Sequence, residues 1–120
     1  MLSVTKKFEF EAAHHLNDYD GKCANVHGHR FQLEVEIAEG ERKFYKNDDM
    51  IIDFGYLKKI VNEEIIELFD HQDLNNLMQI NSTSENLVRF IVKALTPFFG
   101  EQLVRVRLYE TSNSYAEWKK

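Results

Sequence analysis

The sequence predicts an α+β fold, an antiparallel four-stranded sheet with two helices on one face, built as one domain over residues 1–120. Three observations carry this. Two early segments alternate apolar and polar residues with the two-residue period of half-buried strands. Two central segments repeat apolar residues at helical spacing, and the last third returns to period two. A length of 120 residues, 43% hydrophobic and 29% charged with one proline and five glycines, excludes a disordered tail, a collagenous repeat and a multi-domain assembly.

The first strand is read from the even positions Leu2, Val4, Lys6, Phe8, Phe10, Ala12 and His14, apolar apart from Lys6 and the terminal histidine. His14 thus extends an apolar face. Turn formers fill Asn17-Asp18-Tyr19-Asp20-Gly21, and a second strand follows with His27, His29, Phe31, Leu33, Val35 and Ile37 on one parity. The charged stretch from Glu39 to Asp49 reads as an exposed loop or hairpin, ending at Met50-Ile51-Ile52.

Asp53 can cap a helix of about four turns, in which Leu57, Ile60, Val61, Ile65 and Leu68 form the apolar stripe. Asp70 to Asn76 is polar and aperiodic, which predicts a loop that presents side chains. Ser82-Thr83-Ser84-Glu85 has the capping-box form, before a second helix with Leu87, Val88, Ile91, Val92 and Leu95 on its stripe. Pro97 and Gly100 are expected to close it. Val104, Val106 and Leu108 alternate against Arg105, Arg107 and Tyr109 in a third strand, whose parity puts Glu110 at the end of the apolar face. Tyr115 to Trp118 supplies a short fourth strand. Such a sheet has open edges, so a homo-oligomer is expected.

Composition also bounds the partners. Fifteen basic against 20 acidic side chains give a net charge of −5, which predicts no nucleic-acid partner. No apolar run approaches the roughly 20 residues of a membrane span, and Met1 to Lys7 lacks a signal-peptide core, so no membrane partner is expected. A single cysteine, Cys23, excludes an intrachain disulfide and fits the cytoplasm.

Residues two apart on a strand face one way, so His27 and His29 in His27-Gly28-His29 can grip one ion, and His14 joins them if the two strands are neighbours. Three imidazoles with no evident fourth protein ligand make the pattern of a catalytic zinc site, although imidazole also suits copper, iron or nickel. The alternative is a set of hydrogen-bonded core histidines. His15 has the other parity and is expected at solvent or at a substrate. Cys23 reads as a base or nucleophile, a buried small residue or a fourth ligand, and Asp70-His71 as a titratable pair or a helix-end cap with a surface histidine. Glu110 on an inward parity costs several kcal/mol unless paired or used; parity disfavours Arg105 as its partner. Such a glutamate suits the amide-and-amine edge of a heterocycle such as guanine or pterin. Glu85 is explained by the capping box.

Taken in order, Phe10-Glu11-Ala12-Ala13-His14, Cys23-x3-His27-Gly28-His29, Ile52-Asp53-Phe54, Asp70-His71, Thr83-Ser84-Glu85 and Tyr109-Glu110-Thr111 resemble the 6-pyruvoyl-tetrahydropterin synthase superfamily. Within it the chain is most similar to the bacterial 6-carboxytetrahydropterin synthase branch, which serves queuosine synthesis. The resemblance implies a tunnel-type fold in which sheets of several subunits join into a barrel, commonly a hexamer of two stacked trimers. It implies zinc on His14, His27 and His29, Cys23 as proton acceptor, His71 with Asp70 as its acid-base partner, and Glu110 both in that relay and, with Thr83 and Ser84, at the substrate. The implied substrate is 7,8-dihydroneopterin triphosphate, a small-molecule pterin, converted by carbon-carbon cleavage with loss of acetaldehyde and triphosphate. The three-residue spacer Ala24-Asn25-Val26 resembles the carboxy-forming type; pyruvoyl-forming relatives usually have a longer one. Thr111-Ser112-Asn113-Ser114 departs from the many relatives that carry a proline there. No glycine-rich phosphate loop is present, and Lys22 or a neighbouring subunit's lysine is left to meet the triphosphate. Pyruvoyl-forming activity, a non-catalytic zinc- or pterin-binding oligomer and, more weakly, a zinc hydrolase stand as the competing readings.

Overall fold

Two long strands carry the architecture. In the computed structural model, β1 (Ser3–His14) and β2 (His27–Ala38) pair antiparallel along their whole length, from Ser3 opposite Ala38 to His14 opposite His27. The structure describes residues 1–17, 19–46 and 49–120. Asp18 of the turn-rich loop, and Asn47 and Asp48 of the charged stretch, lie outside the described residues.

The sheet is five-stranded and mixed, in the order β3-β1-β2-β4-β5, which corrects the expected four antiparallel strands. β4 (Leu103–Thr111) and β5 (Ser114–Lys119) pair antiparallel as expected. The addition is β3 (Gln72–Asp73), which runs parallel to β1 opposite Ala12 and Ala13. Two residues contain no period to read, so this strand exists only because the chain passes the edge of β1.

The first helix is longer than one regular element. α1 (Phe54–Val61) starts at Asp53, whose carboxylate accepts the Gly55 N–H at 3.1 Å, and continues through a π turn (Asn62–Ile66) into α2 (Glu67–Phe69). α3 (Leu74–Leu77) occupies part of the expected loop and is capped by Asp73. α4 (Ser84–Phe99) is capped by Thr83, which accepts from Asn86 N, rather than by Ser82. Ser82 is fully buried and uses its hydroxyl elsewhere. Pro97 does not end α4, because proline in the last turn removes one main-chain donor and the helix tolerates it. Gly100 ends it instead, at a φ of 58° that favours glycine.

The helices cover one face of the sheet. Phe10 and Phe31 stack at 5.0 Å between ring centroids, Phe69 tilts onto Phe10 at 5.6 Å, and Leu57, Ile65, Leu87, Ile91 and Leu95 fill the layer with no exposed surface. The other face is charged: Arg105 contacts Glu34, Glu36 and Glu117, and Arg107 contacts Glu117. No described helix is long and apolar enough to cross a membrane.

Candidate metal centre

The histidines lie where the apolar face runs out. His14 stands opposite His27, Ala12 opposite His29 and Phe10 opposite Phe31, so strand parity puts all three imidazoles on the core side at the sheet's end. Their ring centroids are 4.6 Å (His14 and His27), 5.2 Å (His14 and His29) and 4.7 Å (His27 and His29) apart. Phe31 meets the edges of His14 at 5.8 Å and His29 at 5.6 Å, closing the cluster from the core.

Glu110 completes the group. One ligand atom from each of His14, His27, His29 and Glu110 lies within 4.8 Å of all the others. The sequence pattern left Cys23 open as a fourth ligand; the fold instead brings the Glu110 carboxylate, near the end of β4, within reach of the three imidazoles. Arg105 stays on the other face, as parity requires.

The hydrogen bonds around the rings fit a cation. His14 Nδ1 lies 2.8 Å from the Ser82 carbonyl and His27 Nδ1 lies 2.7 Å from the Asn25 carbonyl, and a carbonyl only accepts. Both rings therefore carry the proton on Nδ1 when neutral and turn a lone pair outward at Nε2. His27 Nε2 is buried with no hydrogen-bond partner among the described residues. His14 Nε2 is 3.0 Å from Glu110 Oε1 but not aligned as a hydrogen bond, and His29 Nε2 is 3.5 Å from the same oxygen. A lone pair facing a carboxylate at that distance calls for a positive species between them, a proton or a metal ion.

The titration of the group reflects the same crowding. Burial depresses the His14 imidazole, but Glu110, the Ser82 carbonyl and Asp73 together outweigh it and hold its pKa raised. His29 is held below its ordinary value by burial, against the Glu110 charge and with the His14 and His27 charges adding. Contact with His14 keeps the Glu110 carboxyl below the usual range in spite of burial.

The remaining predicted residues sit around this centre. Cys23, half-buried in a single 3-10 turn (Lys22–Ala24), lies outside the ligand group. His71 Nδ1 is 3.0 Å from Asp70 Oδ2 and its Nε2 3.9 Å from Glu11 Oε2, so the pair exists but belongs to the edge of β1. His71 has a φ of 58° and lines a cleft of about 580 Å³ together with His29, Gly28 and Arg30. A side chain at Gly28 would meet only the Ala12 carbonyl at 3.8 Å, so glycine widens this cleft rather than relieving a clash. Ser84 and Glu110 line a second cleft of about 390 Å³ with Glu85, Tyr115 and Glu117, whereas the Thr83 hydroxyl is committed to the cap of α4. Lys22 is exposed beside Cys23. His15 is half-buried, and its Nδ1 is buried without a partner among the described residues.

Sequence reasoning assigned Ser82 and Glu85 to a capping box that does not form, and gave no role to Asn75, which lies in a segment without periodicity.

The comparisons with known proteins agree with this geometry. Residues 3–120 match the family model described as 6-pyruvoyl tetrahydropterin synthase. The 6-carboxy-5,6,7,8-tetrahydropterin synthase of Haemophilus influenzae is 34% identical over 140 aligned positions, covering 99% of each chain. The 6-pyruvoyl tetrahydrobiopterin synthase of Dictyostelium discoideum is 34% identical over 103 positions, covering 82% of this chain and 74% of that protein. Among solved structures, the Caenorhabditis elegans 6-pyruvoyl tetrahydropterin synthase superposes with a TM-score of 0.82 at 23% identity, over 99% of this chain and 95% of that one, which shows the fold.

Proposed function

The chain belongs to the 6-pyruvoyl tetrahydropterin synthase family, and from that membership we propose that it is a 6-carboxy-5,6,7,8-tetrahydropterin synthase, a carbon-carbon lyase. Its substrate is 7,8-dihydroneopterin triphosphate. Atoms balance with one water consumed and 6-carboxytetrahydropterin, acetaldehyde and triphosphate released. The product would feed queuosine and related deazapurine synthesis in the cytoplasm, the compartment that suits a single unpaired cysteine.

The observation that carries this reading is the convergence of His14, His27, His29 and Glu110 at the end of the apolar face. His14, His27 and His29 would hold zinc, which when bound polarises the substrate's side-chain hydroxyls and acidifies the neighbouring C–H bonds. Glu110 would accept hydrogen bonds from the amide and amine edge of the pterin, with Ser84 lining the same cleft and Thr83, through its cap on α4, setting where Ser84 stands. Cys23 would accept a proton from the substrate side chain and His71, oriented by Asp70, would donate one to the ring, with solvent restoring both groups. The open edges of the sheet support reading the active form as an oligomer, a hexamer of two stacked trimers in which a neighbouring copy can complete the centre.

Incubating the pure protein with 7,8-dihydroneopterin triphosphate tests the assignment. The expected products are acetaldehyde, triphosphate and the carboxypterin. Triphosphate with a pyruvoyl pterin and no acetaldehyde would favour the sibling activity, for which the Dictyostelium relative speaks; the three-residue spacer between Cys23 and His27 speaks for the carboxy-forming one.

A further inference from the structure

We propose that Asn75, acting with Ser82, is a positioning residue of the metal centre, gripping the end of β1 so that His14 presents its Nε2 lone pair to the ion. The inference rests on the reading of the histidines as metal ligands, and it concerns residues that touch neither the ion nor the pterin.

The geometry begins with the short parallel ladder. β3 pairs with β1 at Ala12 opposite Gln72 and Ala13 opposite Asp73, and the chain then turns away into α3. Continued two residues further, that register would set His15, whose main-chain groups face the same side as those of Ala13, opposite Asn75. The Asn75 side chain makes it: Oδ1 accepts the His15 N–H at 2.8 Å, and Nδ2 donates to the His15 carbonyl at 3.0 Å. A side-chain amide thus takes the place of a strand's main chain. Asp73 fixes Asn75 in turn, accepting its N–H at 3.0 Å as the cap of α3.

Ser82 connects this clamp to the ligand. It has no exposed surface, and its hydroxyl lies 3.1 Å from Asn75 Oδ1 and 3.3 Å from the His15 carbonyl, one proton serving both. With its side chain tied there, the Ser82 carbonyl meets His14 Nδ1 at 2.8 Å and sets the tautomer. His27 gets the same service from Asn25, two residues away in its own loop. For His14 the carbonyl arrives from 68 residues along the chain, so its aim depends on a tertiary clamp.

The test uses the metal alone. The metal-free chain is titrated with Co2+, read by its visible absorption, and with Zn2+ against a chromophoric chelator. The wild type is expected to take one ion per chain, and His27→Ala to lose it. Asn75→Ala and Ser82→Ala are expected to weaken binding about 10- to 100-fold and to alter the Co2+ spectrum. Asn76→Ala, at the exposed neighbour, should do neither. If Asn75→Ala does not fold, Asn75→Asp decides, since it keeps the acceptor for His15 N–H, loses the donor, and should fall between. Wild-type affinity and spectrum in the Asn75 variants, with or without a lowered melting temperature, overturn the assignment. A wild type that takes no metal, or an equal uptake by His27→Ala, overturns the ligand reading beneath it.

Discussion

Cys23 and the histidines were set apart by the sequence and are set apart again in space. The thiol stands on a 3-10 turn whose Cys23 carbonyl accepts Leu16 N–H at 2.7 Å, outside the four-residue ligand group. On the proposed reading Cys23 takes protons but holds no metal, which separates two losses that a ligand would combine. Cys23→Ala is therefore expected to lower turnover about 100-fold or more while metal content, measured by elemental analysis, stays at the wild-type value. Unchanged turnover would remove Cys23 from the proton path, and lost metal would make it a ligand. The three histidines were legible because a two-residue period carries direction as well as burial. Asn75 and Ser82 were not, since a polar residue in an aperiodic segment gives no sign of whom it will meet.

Strand parity also governs the opposite face. β2, β4 and β5 carry Glu34, Glu36, Arg105, Arg107 and Glu117 there, interlaced, Glu34 buried and the others half-buried, with Lys7 3.9 Å from Glu34. The Glu36 carboxyl is held below its ordinary value of 4.5 by the Ser3 hydroxyl at 2.5 Å and then by Arg105 at 2.7 Å. A depressed folded pKa means that the folded state releases its proton first, so this contribution is present above the ordinary glutamate value and is lost as pH falls through the folded one. Urea unfolding of wild type and Glu36→Gln across that window should show a shallower acid-side decline in the variant. Identical slopes would show that Glu36 does not couple stability to pH. At this scale the sequence read the long strands and both main helices well, because each repeats its period several times. It misplaced the cap of α4 by one residue, at a run of hydroxyls where each of Ser82, Thr83 and Ser84 satisfies the local rule.

The whole molecule is built to be extended. Its radius of gyration is 15.2 Å, against about 13.6 Å for a compact chain of this length. Its long axis is 52 Å. β1 has no strand beside Ser3 to Glu11 on the side away from β2, and the outer edge of β5 has none, among the described residues. Two unpaired edges on one sheet favour its continuation into other copies. Sedimentation equilibrium is expected to give a multiple of the chain mass, and a monomer with full turnover would sink the shared-centre reading.

By itself the sequence determined the class of the fold, the two faces of each long strand and the three imidazoles at the end of one face, because these follow from local periodicity. Only the tertiary structure decided what completes the centre. β3, the approach of Glu110 and the clamp of Asn75 and Ser82 on His15 join residues far apart in the chain, and no local pattern records a pairing that burial and hydrogen bonding choose after the strands have met.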